Sequence, residues 1–225
     1  QGEVMDLIGY VDSLNVKHGA TTEVYSTSTP QARALEREAL KYDLHLLQAQ
    51  CKHLGTENNL KILTSIYEAI RDRHTFLFNT AVASIEARDG VYTLVTEGGA
   101  RYTAPYLIAG PGRSGAEWFA NQCKGLGLEL LNNQVDIGVR VELPAVIFEH
   151  ITDVVYESKL VYRTKQYGDS VRTFCMNPYG HVVAENVEGI NTVNGHSYAD
   201  PALRSENTNF ALLVSNRFTK PFNEP

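Results

Sequence analysis

The sequence predicts an α/β chain that continues into a mainly antiparallel α+β domain. Three observations predict this arrangement. Apolar residues recur at helical spacing before residue 74, and an apolar run at 106–109 leads directly into a glycine-rich turn and a further helix. After residue 134, strands in which apolar and polar residues alternate dominate the pattern. We therefore expect two domains, residues 1–134 and residues 135–225.

Three helices are predicted in the first domain. The second begins with Thr29 as N-cap and Pro30 at the first helical position, and should run to about Leu40. The third follows Thr56, and the short apolar segment 43–50 predicts a strand before it. The first helix has four apolar residues on one face: Val4, Leu7, Ile8 and Val11. The third has an apolar stripe that we expect to be buried: Leu60, Leu63, Tyr67 and Ile70.

Strand signals follow the third helix. A strand is expected at 74–79, and the hairpin signals at 89–90 and 98–99 then predict a three-stranded meander at 81–87, 91–96 and 101–104. The run 106–109 is apolar throughout, which is typical of a buried parallel strand, and a helix should follow from about Ala116 to Cys123. In the second domain we expect a short helix at 144–152 and strands at 137–141, 159–165, 171–176, 181–184 and 210–215.

Composition and charge exclude several classes of protein. The net charge of -6 and the pI near 5.6 disfavour a nucleic-acid partner. No apolar run approaches the roughly 18 residues that cross a bilayer, so we expect no membrane partner. The three widely spaced cysteines, Cys51, Cys123 and Cys175, disfavour a disulfide framework and favour a cytoplasmic location. Cysteine or histidine pairs at metal-ligand spacing are absent, and we expect no metal site.

Gly110, Gly112 and Gly115 match the pattern G-x-G-x-x-G between the predicted strand and helix. This pattern is typical of a turn whose backbone N–H groups meet the pyrophosphate of a dinucleotide. However, Pro111 removes one donor, and no strand that ends in an acid is evident about 20 residues further on. These two features count against an NAD(P)-binding dehydrogenase that uses this turn as its main fingerprint, which is one alternative.

A second interpretation rests on the order of the elements. The helix, strand, meander and returning apolar strand resemble the FAD-binding domain of flavoproteins of the glutathione-reductase type. Six motifs in order sharpen the likeness, and the whole chain resembles the large, poorly characterised bacterial FAD-dependent dehydrogenase family. These six family-like motifs are His53–Asn59, Ala109–Trp118, Val135–Val141, Arg172–Met176, Val193–Ser197 and Glu206–Phe210.

The resemblance implies a Rossmann-like FAD/NAD(P)-binding domain with a β-meander. It also implies an FAD-dependent oxidoreductase that moves hydride through the flavin N5, with NAD(P)H as a candidate electron donor and a small molecule as substrate. The glycine-rich fingerprint with which the family begins is missing here. The chain is therefore expected to be an internal fragment, inactive by itself, with an uncovered sheet through which it can self-associate. A non-catalytic or RNA-modifying flavoprotein relative is a further alternative.

The same resemblance assigns the cofactor contacts. Backbone N–H groups and the Arg113 guanidinium can meet phosphate oxygens. Val82 stands where such flavoproteins read the adenine edge with a backbone N–H and C=O. The expected contacts are Val82, Gly110, Pro111, Gly112, Arg113 and Ser114.

Three residues are candidates for catalysis. Cys175 carries a thiol that can react with a flavin adduct, but a cysteine in a strand is also commonly a small buried hydrophobe. His53 and His196 lie in polar, loop-like motifs. Each can act as a general acid or base, or can fix a loop by bonding a backbone carbonyl.

Three arginines of the second domain stand on predicted strands: Arg140, Arg163 and Arg172. Together they can bind an anionic substrate. They can equally form a solvated sheet face paired with Glu142 or Glu157, and the sequence leaves both hypotheses open.

Overall fold

The computed structural model describes residues 2–131, 133–187 and 189–217. Five α-helices lie in these ranges: α1 (Gly2–Lys17), α2 (Pro30–Leu40), α3 (Thr56–Ile70), α4 (Ala116–Gly125) and α5 (Ala145–Thr152). The strands there are β1 (Tyr25–Ser26), β2 (Leu44–Leu46), β3 (Gln50–Cys51), β4 (Val82–Arg88), β5 (Val91–Thr96), β6 (Arg101–Ala104), β7 (Gln134–Pro144), β8 (Leu160–Arg163), β9 (Ser170–Asn177), β10 (His181–Val187), β11 (Ile190–His196) and β12 (Asn207–Arg217).

The strands form one large sheet and three small ones. The five-stranded sheet has the order β2-β8-β9-β12-β7, and β4-β5-β6 form the predicted meander. The pairs β1-β3 and β10-β11 complete the set. Every strand pair in the described part of the chain is antiparallel. The described part of the chain is therefore α+β. The parallel sheet of the expected α/β class is not found among the described residues.

Local sequence explains the elements that were predicted correctly. Thr29 caps α2 by accepting a hydrogen bond from Ala32 N at 3.1 Å, and Pro30 follows it in the first turn. Ala32 is fully buried and joins Leu46 and Val155 in a small core, so α2 is held against β2 and the loop before β8. The predicted boundary at residue 134 coincides with the start of β7 and otherwise stays a prediction.

Four expectations about local structure were wrong. Residues 74–79 form no strand, and neither does the run 106–109, in which Tyr106 is 87% and Ile108 98% exposed. The expected buried stripe of α3 is largely exposed, with Leu60 at 74% and Leu63 at 63%, and the buried residue of this helix is Ile62 instead. The apolar face of α1 is exposed as well, because no element of the described chain covers it. Strand β11 was not predicted, and His196 therefore lies at a strand end instead of in a loop.

The hairpin β10-β11 packs against the strands β9 and β12 of the large sheet. Gly195 makes this approach possible, because a Cβ at this position would lie only 2.3 Å from Asn177 Nδ2 and from Asn209 Oδ1. Gly138 allows a similar approach in β7, where a Cβ would lie 1.8 Å from the carbonyl oxygen of Leu212. Sheet and hairpin thus enclose polar side chains at one place and a cavity next to them.

Candidate active site

Five of the six family-like motifs meet around one cavity of about 360 Å³, here called the cysteine cavity. The motifs that begin at His53, Arg172 and Val193 line it directly. The motifs that contain Arg140 and Asn209 contact its wall through Asn177 and Cys175. Its principal polar lining residues are Cys51, His53, Tyr156, Glu157, Cys175 and Ser197. Segments more than 140 residues apart in the chain are thereby brought together.

A histidine, a tyrosine and a serine are joined at this cavity. The His53 ring stacks on the Tyr156 ring with centroids 4.4 Å apart. The Tyr156 hydroxyl and Ser197 Oγ share a hydrogen bond of 2.6 Å, and Ser197 Oγ lies 3.4 Å from His53 Nε2. His53 and Tyr156 also line a second, aromatic cavity of about 560 Å³ on their other side. The three groups can therefore hand a proton from one to the next between the two cavities.

Burial sets the protonation state of this group. Desolvation lowers the pKa of His53, and Arg204 acts in the same direction while Glu57 opposes it. Desolvation also raises the pKa of Tyr156 well above its usual value. At neutral pH the histidine is therefore a neutral base and the tyrosine a protonated donor.

Glu57 fixes the loop that carries His53. Its Oε1 accepts hydrogen bonds from the backbone N–H groups of Ala199 and Asp200, each at 3.0 Å. Thr56 N donates to the carbonyl of Ser197 at 3.0 Å. Burial by itself would raise the pKa of Glu57, but these N–H donors and His53 outweigh it, and the pKa is lowered. The ionised carboxylate thus ties the start of α3 to the segment that follows Ser197.

Cys175 stands in an unusual backbone conformation. Its φ is +51°, in the left-handed region that non-glycine residues seldom occupy, and the register between β9 and β12 shifts beside it. The N–H groups of Cys175 and Met176 both point to the Glu157 carboxylate, at 3.2 Å each. Burial raises the pKa of Glu157. The bulge therefore presents the Cys175 side chain at the cavity beside a buried acid.

A cluster of amide side chains lies behind Cys175. Arg140 Nη1 donates to Asn209 Oδ1 at 2.6 Å and to the Cys175 carbonyl at 3.4 Å. Asn177 Nδ2 donates to the same carbonyl at 2.7 Å. Asn209 is fully buried. These contacts hold the strained residue in place from its carbonyl side.

The predicted catalytic residues are only partly brought together. His53 and Cys175 line the same cavity, as do Tyr156 and Ser197. His196 precedes Ser197 but is not among the lining residues; it pairs with His181 across the hairpin. Sequence reasoning missed Tyr156, which belongs to none of the six motifs. Ser197 ends a motif that could have indicated it.

The predicted cofactor residues lie apart from this cavity. The turn of residues 110–114 follows the exposed run, and Val82 is half-buried at the start of β4. In the described chain, the N–H groups of Gly112, Arg113 and Ser114 donate no hydrogen bond to the backbone. Gly112 has a φ of +72°, and space is open around it. Free donors and an exposed guanidinium fit a phosphate group, although Pro111 supplies no donor.

Comparison of the sequence with protein-family models found no match, and comparison with curated proteins found none either. No described helix is long and apolar enough to cross a membrane. In the same residues, no group of three or more histidine, cysteine, aspartate or glutamate side chains is placed to hold a metal ion.

Proposed function

We propose that this chain is part of a cytoplasmic FAD-dependent oxidoreductase that acts on a small organic molecule. The observation that carries the proposal is the meeting of five family-like motifs around the cysteine cavity. Residues that handle one substrate must lie together, and here the motifs meet at a cavity that carries a histidine, a tyrosine, a serine and a cysteine rather than at an apolar core.

The residues present fit a cofactor-binding role for the turn at 110–114. Arg113 and the free N–H groups of Gly112 and Ser114 would hold phosphate oxygens of FAD, and the backbone of Val82 would meet the adenine. In the Rossmann-like arrangement proposed here, the meander is the crossover connection and the run 106–109 would become a strand of a parallel sheet. The rest of that sheet would come from another part of the same polypeptide.

When bound, FAD supplies a hydride acceptor or donor. Oxidation of a substrate C–H bond also releases a proton, and the residues around the cysteine cavity are suited to handle it. Neutral His53 can accept this proton directly or through Ser197 and Tyr156. Tyr156, Glu157 and Met176 line the same cavity as His53, so a substrate bound there would lie beside the proton-accepting group.

The test is made on the complete gene product that contains this chain. We expect it to purify yellow, to release FAD on denaturation as identified by mass spectrometry, and to lose its visible flavin absorption on anaerobic addition of NADH or NADPH. A colourless protein that binds NAD(P) stoichiometrically would instead favour the dehydrogenase alternative. Flavin that no nicotinamide reduces, together with RNA binding, would favour the RNA-modifying relative.

A further inference from the structure

The structure separates the three arginines that the sequence left open. Arg172 Nη2 lies 2.6 Å from Asp136 Oδ2, and Arg163 donates to the Gly168 carbonyl at 3.0 Å. Neither Arg140 nor Arg163 has a carboxylate oxygen of the described residues within 4.0 Å of its guanidinium, but Arg163 is exposed to solvent whereas Arg140 is half-buried. Its acceptors are the neutral oxygens of Asn209, Cys175 and Asn194.

The charge of Arg140 is only partly compensated. Its Nε is buried and has no hydrogen-bond partner in the described chain. Glu157 interacts with it electrostatically, but this carboxylate accepts the N–H groups of Cys175 and Met176. Arg140 is half-buried, and a cation partly withdrawn from water among neutral amides is costly, a cost that an added anion would offset.

Arg140 faces a cavity of about 620 Å³ between the large sheet and the hairpin, here called the arginine cavity. It is the one charged residue among those that line the cavity, since Asn191 and Thr192 are neutral. The remaining lining residues are small or aliphatic: Gly138, Val139, Ala184, Val193, Ala211 and Leu213. A mainly apolar cavity of this size with a single placed charge is typical of a small-molecule site.

The nearest acid of the hairpin does not fill this role. The Glu185 carboxylate accepts from Asn194 Nδ2 at 3.1 Å and from Arg113 at 3.3 Å, and it is not among the lining residues. Asn194 stands between Glu185 and Arg140 and presents its Oδ1 to the guanidinium. The cavity therefore offers one positive charge and no competing carboxylate among its lining residues.

We propose that the arginine cavity binds an organic carboxylate, with the anion against Arg140 and an aliphatic body against Ala211 and Leu213, whose side chains share the face of the sheet on which Arg140 lies. The inference that a carboxylate is the substrate of an oxidoreductase rests on the function proposed above. The inference that a carboxylate binds here rests on the cavity alone.

The test is titration of this 225-residue chain with hexanoate and with hexanamide, its neutral analogue, followed by calorimetry. We expect hexanoate to bind at least about tenfold more tightly, since a charge-assisted hydrogen bond is worth that much. Arg140→Gln should abolish the preference. Thr192 lines the cavity and lies on the same face of the hairpin as Asn194, which contacts Arg140. Thr192→Asp should weaken hexanoate binding several-fold, and the nearly isosteric but neutral Thr192→Asn should not.

Equal affinity for the acid and the amide would overturn the proposal, as would hexanoate binding that neither Arg140→Gln nor Thr192→Asp weakens. If Arg140→Gln fails to fold, the Thr192 pair decides. If the complete protein lacks flavin but hexanoate still binds through Arg140, the oxidoreductase proposal is overturned and the carboxylate site stands. If the complete protein is yellow and active but the 225-residue chain binds hexanoate and hexanamide equally well, the carboxylate site is overturned and the oxidoreductase proposal stands.

Discussion

Arg113 Nη1 and Glu185 Oε2 lie 3.3 Å apart, and this ion pair joins the proposed cofactor turn to the hairpin β10-β11. Glu185 in turn accepts from Asn194, whose Oδ1 faces Arg140. A chain of polar contacts therefore runs from the turn to the carbonyl of Cys175. The Arg113 side chain remains 71% exposed, so the surface pair itself adds little stability and leaves the guanidinium free to meet a phosphate.

The first prediction concerns this arginine. In the complete protein, Arg113→Ala should weaken FAD binding by about tenfold or more, because a charge-assisted hydrogen bond is lost. The measurement is fluorescence titration of the apoprotein with FAD. Arg101→Ala is the matched control, since Arg101 is also exposed and paired with a glutamate, Glu86, but lies on the meander. Equal FAD affinity in the Arg113 and Arg101 variants would remove Arg113 from the cofactor site.

The second prediction concerns the Tyr156 hydroxyl. Tyr156→Phe keeps the ring that stacks on His53 but removes the 2.6 Å hydrogen bond to Ser197. If these groups move a proton during turnover, the turnover number should fall by about a hundredfold or more, with the flavin spectrum unchanged. Tyr25→Phe is the control, because the Tyr25 ring lies 5.1 Å from the Tyr156 ring. Normal turnover by Tyr156→Phe would restrict this tyrosine to a packing role.

The third prediction separates the strained backbone of Cys175 from its thiol. At a φ of +51°, glycine relieves a cost of about 1–2 kcal/mol that alanine keeps, and this exceeds the roughly 0.5–1 kcal/mol that glycine loses in chain entropy. Cys175→Gly should therefore be up to about 1 kcal/mol more stable than Cys175→Ala in urea unfolding.

Turnover of the same two variants tests the thiol. We expect both to stay within about tenfold of the parent protein, because proton transfer is assigned to His53, Ser197 and Tyr156 and not to the sulfur. A loss of several orders of magnitude in both variants, with flavin still bound, would show that the thiol takes part in the reaction.

Much of the secondary structure could be predicted because its signals are local. The Thr29-Pro30 cap and the turns at 89–90 and 98–99 act within a few residues, and α2 and the meander formed as expected. The prediction of a buried strand at 106–109 was wrong for a related reason. Its apolar residues favour a buried strand, but a strand needs a neighbour, and the described chain provides none.

The candidate site could be predicted only in part. His53 and Cys175 stood out by residue type, but their meeting depends on the register of β9 and on contacts between 53–59 and 195–200, which no local pattern encodes. The pairing of Arg172 with Asp136, 36 residues away, and the half-buried position of Arg140 depend likewise on how the strands and the hairpin meet. Tyr156 has no sequence signal at all, because its role comes from the His53 ring that packs on it.

The fourth prediction follows from the pKa of His53. Burial lowers this pKa below the unfolded value of 6.5, so the unfolded chain takes up the proton more readily than the folded chain. The stability that neutral His53 provides is therefore fully present above about pH 6.5 and is lost as the pH falls through the window between the unfolded and the folded pKa. Thermal unfolding between pH 7.5 and about 5 should show a smaller loss of Tm in His53→Gln than in the parent chain. His150→Gln, at an exposed position, should lose as much Tm as the parent. Parallel curves for all three proteins would contradict the burial of His53.

The last prediction concerns the surface that the described chain leaves uncovered. The chain exposes 16168 Å². A compact monomer of 25.0 kDa is expected to expose about 10,000 Å². Part of the excess is apolar, and Ile108, at 98% exposure, lies beside an unpaired stretch of backbone.

An exposed apolar stretch with unpaired backbone groups can pair with another chain, so we expect the 225-residue chain to self-associate at micromolar concentration. We also expect it to purify colourless, because the proposed cofactor site is incomplete in it. Ile108→Glu should shift the association toward monomer in light scattering after size exclusion, because a charge at an edge opposes pairing. Val24→Glu, which alters an apolar residue of 49% exposure elsewhere, is the control and should leave the association unchanged. If the Ile108→Glu chain still associates, the contact lies on another apolar face, such as that of α1. If the 225-residue chain purifies yellow with stoichiometric flavin, the turn at 110–114 binds the cofactor without further parts of the protein.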